Sequence, residues 1–231
     1  MTKKRIAIFI YSLGPGGAER VTTTLATHLQ EEFEVTIVLL KELIAYPLPE
    51  GIRVVCAPPS SSTIVGKVWG MVKTLFWFKT WCEHEKITTV LAILNRPIWI
   101  SSLAKFFGNS PHLLVAEHTM QSLWRKEEGG FFLLKQTKMK TLLSLPDGVI
   151  AISQEIAHDL ATHYGIPSSK LHVIANPFDI KEIQRLSLIS PQRRGKVITA
   201  GTLKPLKNHA MLLDALSFLS SVPPTTLLGS G

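Results

Sequence analysis

Residues Ile8–Arg20 read Ile-Phe-Ile-Tyr-Ser-Leu-Gly-Pro-Gly-Gly-Ala-Glu-Arg. The run begins at Ile6 and stays apolar through Ile10 without alternating. That pattern belongs to a strand buried on both faces. Gly14-Pro15-Gly16-Gly17 then breaks the chain. A helix is expected from Ala18 to Glu31, with Val21, Leu25 and Leu29 four residues apart on one face. Val35–Leu40 is the next strand. A strand, helix and strand in this order call for parallel neighbours joined by a right-handed crossover, so the fold class is α/β.

The alternation continues along the chain. Strands are expected at Ile52–Cys56, Thr89–Leu94, Leu113–Ala116, Val149–Ile152 and Leu171–Ile174. Helices are expected near 64–84, 97–107, 130–144 and 154–163. Pro146-Asp147-Gly148 and Gly165-Ile166-Pro167 mark breaks. Asn176–Gly195 is polar, carries Pro177 and Pro191, and reads as a connection. A new strand opens at Lys196–Ala200, followed by a Lys-rich loop, a helix and a second strand ending at Leu228-Gly229-Ser230-Gly231. The expected organisation is a complete first domain over 1–175, a linker over 176–195, and the first β-α-β unit of a second domain over 196–231. On this reading the second domain is C-terminally truncated.

Composition narrows the function. At 45% hydrophobic and 18% charged residues, a chain of 231 residues builds a core and is not disordered. A net charge of +8 suits an anionic partner such as phosphates, nucleic acid or an acidic membrane surface. Cys56 and Cys82 lack metal-ligand spacing and fit structural roles in a reduced, cytosolic compartment. Lys3-Lys4-Arg5 precedes too short an apolar run for a secretory signal. Ile64–Cys82 is the best membrane-span candidate. It is rejected because Lys67, Lys73 and Lys79 would each cost roughly 2.5–3.5 kcal/mol at a bilayer centre.

In open parallel sheets, ligands bind beyond the carboxyl ends of the strands. Five segments qualify. Gly14–Arg20 brings backbone N–H groups close to an anion, or is simply a tight turn; Glu19 stands where a dinucleotide fingerprint needs glycine. Asn95-Arg96-Pro97 offers a guanidinium for phosphate or carboxylate, or a solvated Arg. Glu117-His118-Thr119 offers an imidazole at a strand end, against the bland reading of a structural histidine. Ser153 reads first as a helix N-cap and second as a ligand contact. Gly201–His209, with Lys204 and Lys207, makes a diphosphate cradle that lacks the P-loop pattern.

Two aromatic segments stand apart. Trp69, Phe76, Trp77, Phe78 and Trp81 point in many directions on a helix, and Lys67, Lys73 and Lys79 fall about 120° apart. Burial under the sheet is one reading; docking to a membrane or a lipid-linked substrate is the other. Trp124–Lys140 sets Arg125, Lys126, Lys135, Lys138 and Lys140 beside Phe131 and Phe132, which suits anionic lipid.

Ile8–Arg20, Glu117-His118, Val173–Asp179 (VIANPFD) and Gly201–His209 (GTLKPLKNH) together resemble the family-four retaining glycosyltransferases of GT-B fold. Asn95-Arg96-Pro97 and Lys105–Asn109 (KFFGN) add a resemblance to a narrower group. Its members add N-acetylgalactosamine to undecaprenyl-diphosphate-linked glycans in bacterial N-glycosylation.

The resemblance implies a two-domain enzyme with its site in the interdomain cleft, a UDP-sugar donor and a polyprenyl-diphosphate-linked glycan acceptor. It implies no cofactor, no metal and no nucleic-acid partner. His118 would sit near the transferred sugar as the catalytic-centre residue. Gly16, Gly17 and Lys207 would face donor phosphates, with Lys204 a candidate to stand in for the Arg that the family carries at position 202. Asn95, Arg96, Glu117 and Ser153 would line the acceptor side or cleft. The implied location is cytoplasmic, peripheral on the inner face of the membrane.

Two departures stand out. Thr202 replaces the family's phosphate-binding Arg, and the family's paired donor-side glutamates lie beyond Gly231. A transferase active only in a longer form therefore stands beside a non-catalytic acceptor- or membrane-binding remnant. A dehydrogenase is set aside because the fingerprint fails.

Overall fold

The computed structural model describes residues 3–59, 64–108, 110–122, 139–189, 195–203 and 205–229. The chain divides into two units, Met1–Phe178 and Asp179–Gly231.

In the first unit β1 (Arg5–Ile10) leads through α1 (Gly17–Leu29) to β2 (Glu34–Leu39) and β3 (Arg53–Cys56). Next come α2 (Ile64–His84), β4 (Thr89–Ile93), α3 (Asn95–Phe106) and β5 (His112–Glu117). Residues 139–144 are helical, and β6 (Gly148–Ala151), α4 (Gln154–Tyr164) and β7 (Leu171–Val173) follow. All seven strands are parallel, in the order β3-β2-β1-β4-β5-β6-β7. The expected α/β class with a parallel sheet is the one adopted.

The unbroken apolar runs now have a cause. Alternate residues of each strand feed opposite cores. Ala7 and Phe9 of β1, Val90 and Ala92 of β4, and Val149 and Ala151 of β6 pack against α2, α3 and α4. Ile8 and Ile10, Val35, Ile37 and Leu39, and Ile93 form the other core with Ala26 of α1. Phe9 stacks on Phe78 of α2 with ring centroids 4.5 Å apart.

Helix α2 is sided in a way its sequence conceals. Leu75, Phe78 and Cys82 are buried at i, i+3 and i+7, whereas Trp69, Val72 and Phe76 face outward. Trp77 and Trp81 are partly buried and pack on the same core. Burial pushes the Cys82 thiol up to about 12, with Glu83 adding to the effect, so this thiol stays protonated and inert. Among the described residues no helix is long and apolar enough to cross a membrane.

Two further differences from the sequence reading are local. Asn95-Arg96-Pro97 is not a loop but the first turn of α3. Leu94 alone turns the chain, with φ 71°. Pro97 is tolerated because first-turn N–H groups have no helical partner. Within 176–195, residues Ile180–Ile189 form helix α5.

The bottom of the sheet is fastened by an ion pair. Lys105 of α3 reaches Asp147 Oδ2 at 2.6 Å, and the Leu113 backbone N–H donates to the same oxygen at 2.8 Å. Burial tends to raise the Asp147 carboxyl, but the Lys105 and Leu113 hydrogen bonds outweigh it and hold it below the usual range. Lys105→Ala is expected to cost about 1–2 kcal/mol, measured by urea unfolding at neutral pH. An unchanged midpoint would remove this pair from the account.

The second unit holds α5, then β8 (Val197–Ala200), α6 (His209–Ser217) and β9 (Thr225–Leu228). β8 and β9 pair in parallel with Val197 opposite Thr225. The Gly201 N–H donates to Leu228 O at 2.8 Å, and a β-carbon on Gly229 would run into the Gly201 carbonyl. Only glycine fits that close approach.

Candidate functional site

The strand order reverses between β1 and β4. The chain steps outward from β1 to β2 and β3, then crosses to β4 on the other side of β1. A crevice opens where the carboxyl ends of such strands diverge. Here a cavity of about 460 Å³ lies at that point, lined by Tyr11, Leu94, Asn95, Arg96, Glu117, His118 and Thr119. The structure thus brings together four residues singled out in the sequence, from two separate strand ends.

Each is placed by its element. His118 follows the last residue of β5 and is half-buried. Burial holds its imidazole below the ordinary histidine value, so the ring is neutral at pH 7. Asn95 and Arg96 open α3. The Arg96 guanidinium carbon lies 5.6 Å from the Tyr11 ring centroid, a cation–π contact. Among the described residues no carboxylate pairs with Arg96, which leaves its N–H groups available to an anion.

Glu117 stands behind this wall rather than in the open. It is 2% exposed. Gln121 Nε2 donates to its Oε2 at 2.9 Å, while Oε1 is buried with no hydrogen-bond partner among the described residues. Burial pushes the carboxyl up to about 7; the Gln121 bond works against this and the Asp159 charge adds to it. Gln121 Nε2 also reaches Asn95 Oδ1 at 3.1 Å, which ties the two strand ends together.

A second cavity of about 560 Å³ shares Tyr11 and Arg96 with the first. Lys41 and Glu42 beyond β2, Cys56 and Pro58 at β3, and Met71 and Thr74 of α2 are among its other lining residues. Arg96 therefore stands at the junction of two adjoining hollows.

The remaining candidates are not in these cavities. Gly16 caps α1 without a side chain, and Gly17 is the first helical residue. The loop before them is braced from the 43–46 segment: Leu13 N–H donates to Leu43 O at 2.8 Å, and the Tyr46 hydroxyl to Gly16 O at 3.2 Å. The Glu19 carboxylate folds back over Gly16, where a β-carbon would meet it. Ser153 is an N-cap, its Oγ accepting from the Ile156 N–H at 3.3 Å. Lys207 ends a 3-10 turn in the second unit, with its aliphatic stem against Gly201. Lys204, the 124–138 part of the basic aromatic segment and the side chain of Lys67 lie outside the described residues.

Three contributors escaped the sequence reading. Tyr11 directly follows β1, and the strand-end rule should have caught it. Asp159 lies on the Ile156 and Leu160 face of α4 and is 2% exposed; an acid on an apolar stripe was a legible signal. Gln121 gave no signal of its own.

The sequence profile of Glycosyltransferase Family 4 matches residues 15–182. The chain belongs to glycosyltransferase family 4. A Campylobacter jejuni protein named N-acetylgalactosamine-N,N'-diacetylbacillosaminyl-diphospho-undecaprenol 4-alpha-N-acetylgalactosaminyltransferase is 31% identical over 231 residues, covering 99% of this chain and 63% of that protein. The chain thus spans less than two thirds of this curated relative.

Among solved structures, Anabaena HepE with UDP and glucose matches at TM-score 0.67 and 18% identity, over 98% of this chain and 61% of HepE. The lipopolysaccharide outer core galactosyltransferase WaaB matches at 0.66 and 18%, over 99% and 61%. A Rickettsia africae glycosyltransferase gives 0.65 and 19%, over 99% and 61%. At these identities the likeness establishes the shared GT-B fold of the family.

Proposed function

We propose that this family-four chain serves the transfer of a sugar, N-acetylgalactosamine, from a UDP-sugar to a polyprenyl-diphosphate-linked glycan with retention of configuration. The observation that carries the reading is the pair of cavities meeting at Arg96. One is bounded by His118 and is of sugar size. The other is bounded by Lys41, Arg96 and apolar groups of α2, which suits a charged, partly apolar acceptor. The named Campylobacter relative supports the substrate class.

In this mechanism the bond from the sugar anomeric carbon to the UDP oxygen breaks, and a bond to the acceptor hydroxyl oxygen forms on the same face. The acceptor proton passes to the leaving phosphate oxygen. Negative charge grows on UDP, so the first-turn N–H groups of α1 at Gly17 and the cations Lys204 and Lys207 stabilise it; the Gly16 N–H is already taken by Gly14 O at 2.8 Å. His118, neutral, donates a hydrogen bond to the sugar without adding charge. Product configuration tests the route: an inverted anomeric centre contradicts it.

Arg96 is assigned to the acceptor. In a form spanning the relatives' full length, Arg96→Ala is expected to raise the acceptor KM roughly tenfold with little change in kcat, the signature of lost uniform binding. Arg96→Lys should recover part of it. A fall in kcat at unchanged KM would move Arg96 to the donor side.

The membrane reading rests on a row of outward aromatic residues. Trp69, Phe76, Phe106 and Phe107 are all more than half exposed, with Phe76 and Phe107 in ring contact at 6.2 Å. Lys73 lies over Trp69 at 5.9 Å. This surface docks on the inner face of the cytoplasmic membrane. Flotation with anionic vesicles at low salt tests it, and a chain that stays at the bottom of the gradient refutes it.

Residues 1–231 by themselves bind acceptor but turn over no donor. Turnover by purified 1–231 would overturn this.

A further inference from the structure

The loop that carries His118 is held from three directions, by Glu117 and Asn95 of the cavity wall and by Asp159 behind it. At its start Glu117 is buried and accepts from Gln121 Nε2 at 2.9 Å. Gln121 also reaches across to Asn95 Oδ1 of α3 at 3.1 Å. At its far end the Ser122 backbone N–H donates to Asp159 Oδ2 of α4 at 3.2 Å. Asp159 is as buried as the core, and burying an acid on a helix face is costly unless it does something there. Its Oδ1 has no hydrogen-bond partner among the described residues, only His163 Nε2 at 3.8 Å. A hydrophobic residue at 159 would satisfy the core of α4 better. What a carboxylate adds is a fixed acceptor for the end of this loop.

We propose that Asp159 and Gln121 are positioning residues for His118: together they hold residues 118–122 in the shape that presents a half-buried imidazole to the switch-point cavity. Asp159 anchors the loop to α4, and Gln121 anchors it to both strand ends. Neither touches substrate. Freed of either anchor, the loop relaxes outward and the imidazole meets water. The functional weight of the device rests on the reading of His118 as the residue beside the transferred sugar. The device itself does not.

The test uses the 231-residue chain with isotope-labelled histidine and no substrate. NMR follows the titration of His118 in Asp159→Ala, Asp159→Asn and Gln121→Ala. Burial depresses the wild-type midpoint. In Asp159→Ala and Gln121→Ala it is expected to rise toward the ordinary histidine value. Asp159→Asn keeps a carbonyl oxygen for the Ser122 N–H and should hold the wild-type midpoint. Gln121 is only partly buried and belongs to neither core cluster, so its loss leaves the core intact even where Asp159→Ala does not fold. A midpoint unmoved in Gln121→Ala overturns the proposal. So does an Asp159→Asn midpoint as raised as that of Asp159→Ala, and so does a uniform shift of all histidines. None of these readouts needs sugar transfer, so failure here is distinct from failure of the glycosyltransferase reading.

Discussion

Replacing His118 by Ala, in a form spanning the full length of the relatives, lowers kcat about 100-fold or more while the acceptor KM stays within a few-fold. The size follows from the environment. His118 is half-buried at the reversal of strand order, and burial keeps its ring neutral at pH 7. On the proposed function, a neutral imidazole beside the transferred sugar fixes the ring's orientation by a donated hydrogen bond and, unlike an imidazolium, adds no positive charge next to the anomeric carbon as positive charge develops there. Such a preorganised donor costs little reorganisation at the moment of reaction. His118→Gln keeps a donor and should lose less than His118→Ala. Single-turnover kinetics of both variants provide the measurement. Equal kcat in wild type and His118→Ala would remove the residue from the chemistry.

The second large effect is on stability, through Glu117. The folded carboxyl is pushed up to about 7 from its ordinary 4.5, first by burial, against the Gln121 bond and with the Asp159 charge. The sign follows from proton binding. Between about pH 4.5 and 7 the folded protein holds a proton here that the unfolded chain has released, so stability falls as pH rises. The contribution is complete below the unfolded value and lost through the folded one. It amounts to roughly 3 kcal/mol over that window. Glu117→Gln keeps the oxygen that accepts from Gln121 and cannot ionise, so this part of the slope disappears. Urea unfolding of both proteins at several pH values from 4.5 to 8 makes the comparison. Parallel profiles would show that Glu117 stays ionised in the fold.

The strands were legible because each is apolar on both faces. Ile6–Ile10 needs two cores, and Ala7 and Phe9 enter one while Ile8 and Ile10 enter the other. The position of His118 at a strand end was legible for the same reason. The strand order was not, since nothing in the β3-to-β4 segment states that the chain crosses back past β1. Nor was the sidedness of α2 visible. Its aromatic residues lie on all sides, and only packing against Phe9 selects Phe78 for the core while leaving Phe76 outside. The start of α3 was misread because Leu94 turns the chain in one residue, at a positive φ that side chains seldom adopt. Asp159 accepts from a backbone N–H 37 residues away, and Gln121, besides its local bond to Glu117, donates to Asn95 26 residues away. No local pattern encodes such pairings.

The most direct measurement is transfer itself. A form spanning the relatives' full length is incubated with a polyprenyl-diphosphate-linked glycan and, one at a time, labelled UDP-sugars. The expected result is label from UDP-N-acetylgalactosamine in the lipid-linked product, with the new bond in the donor's anomeric configuration. No transfer from any UDP-sugar would contradict the assignment.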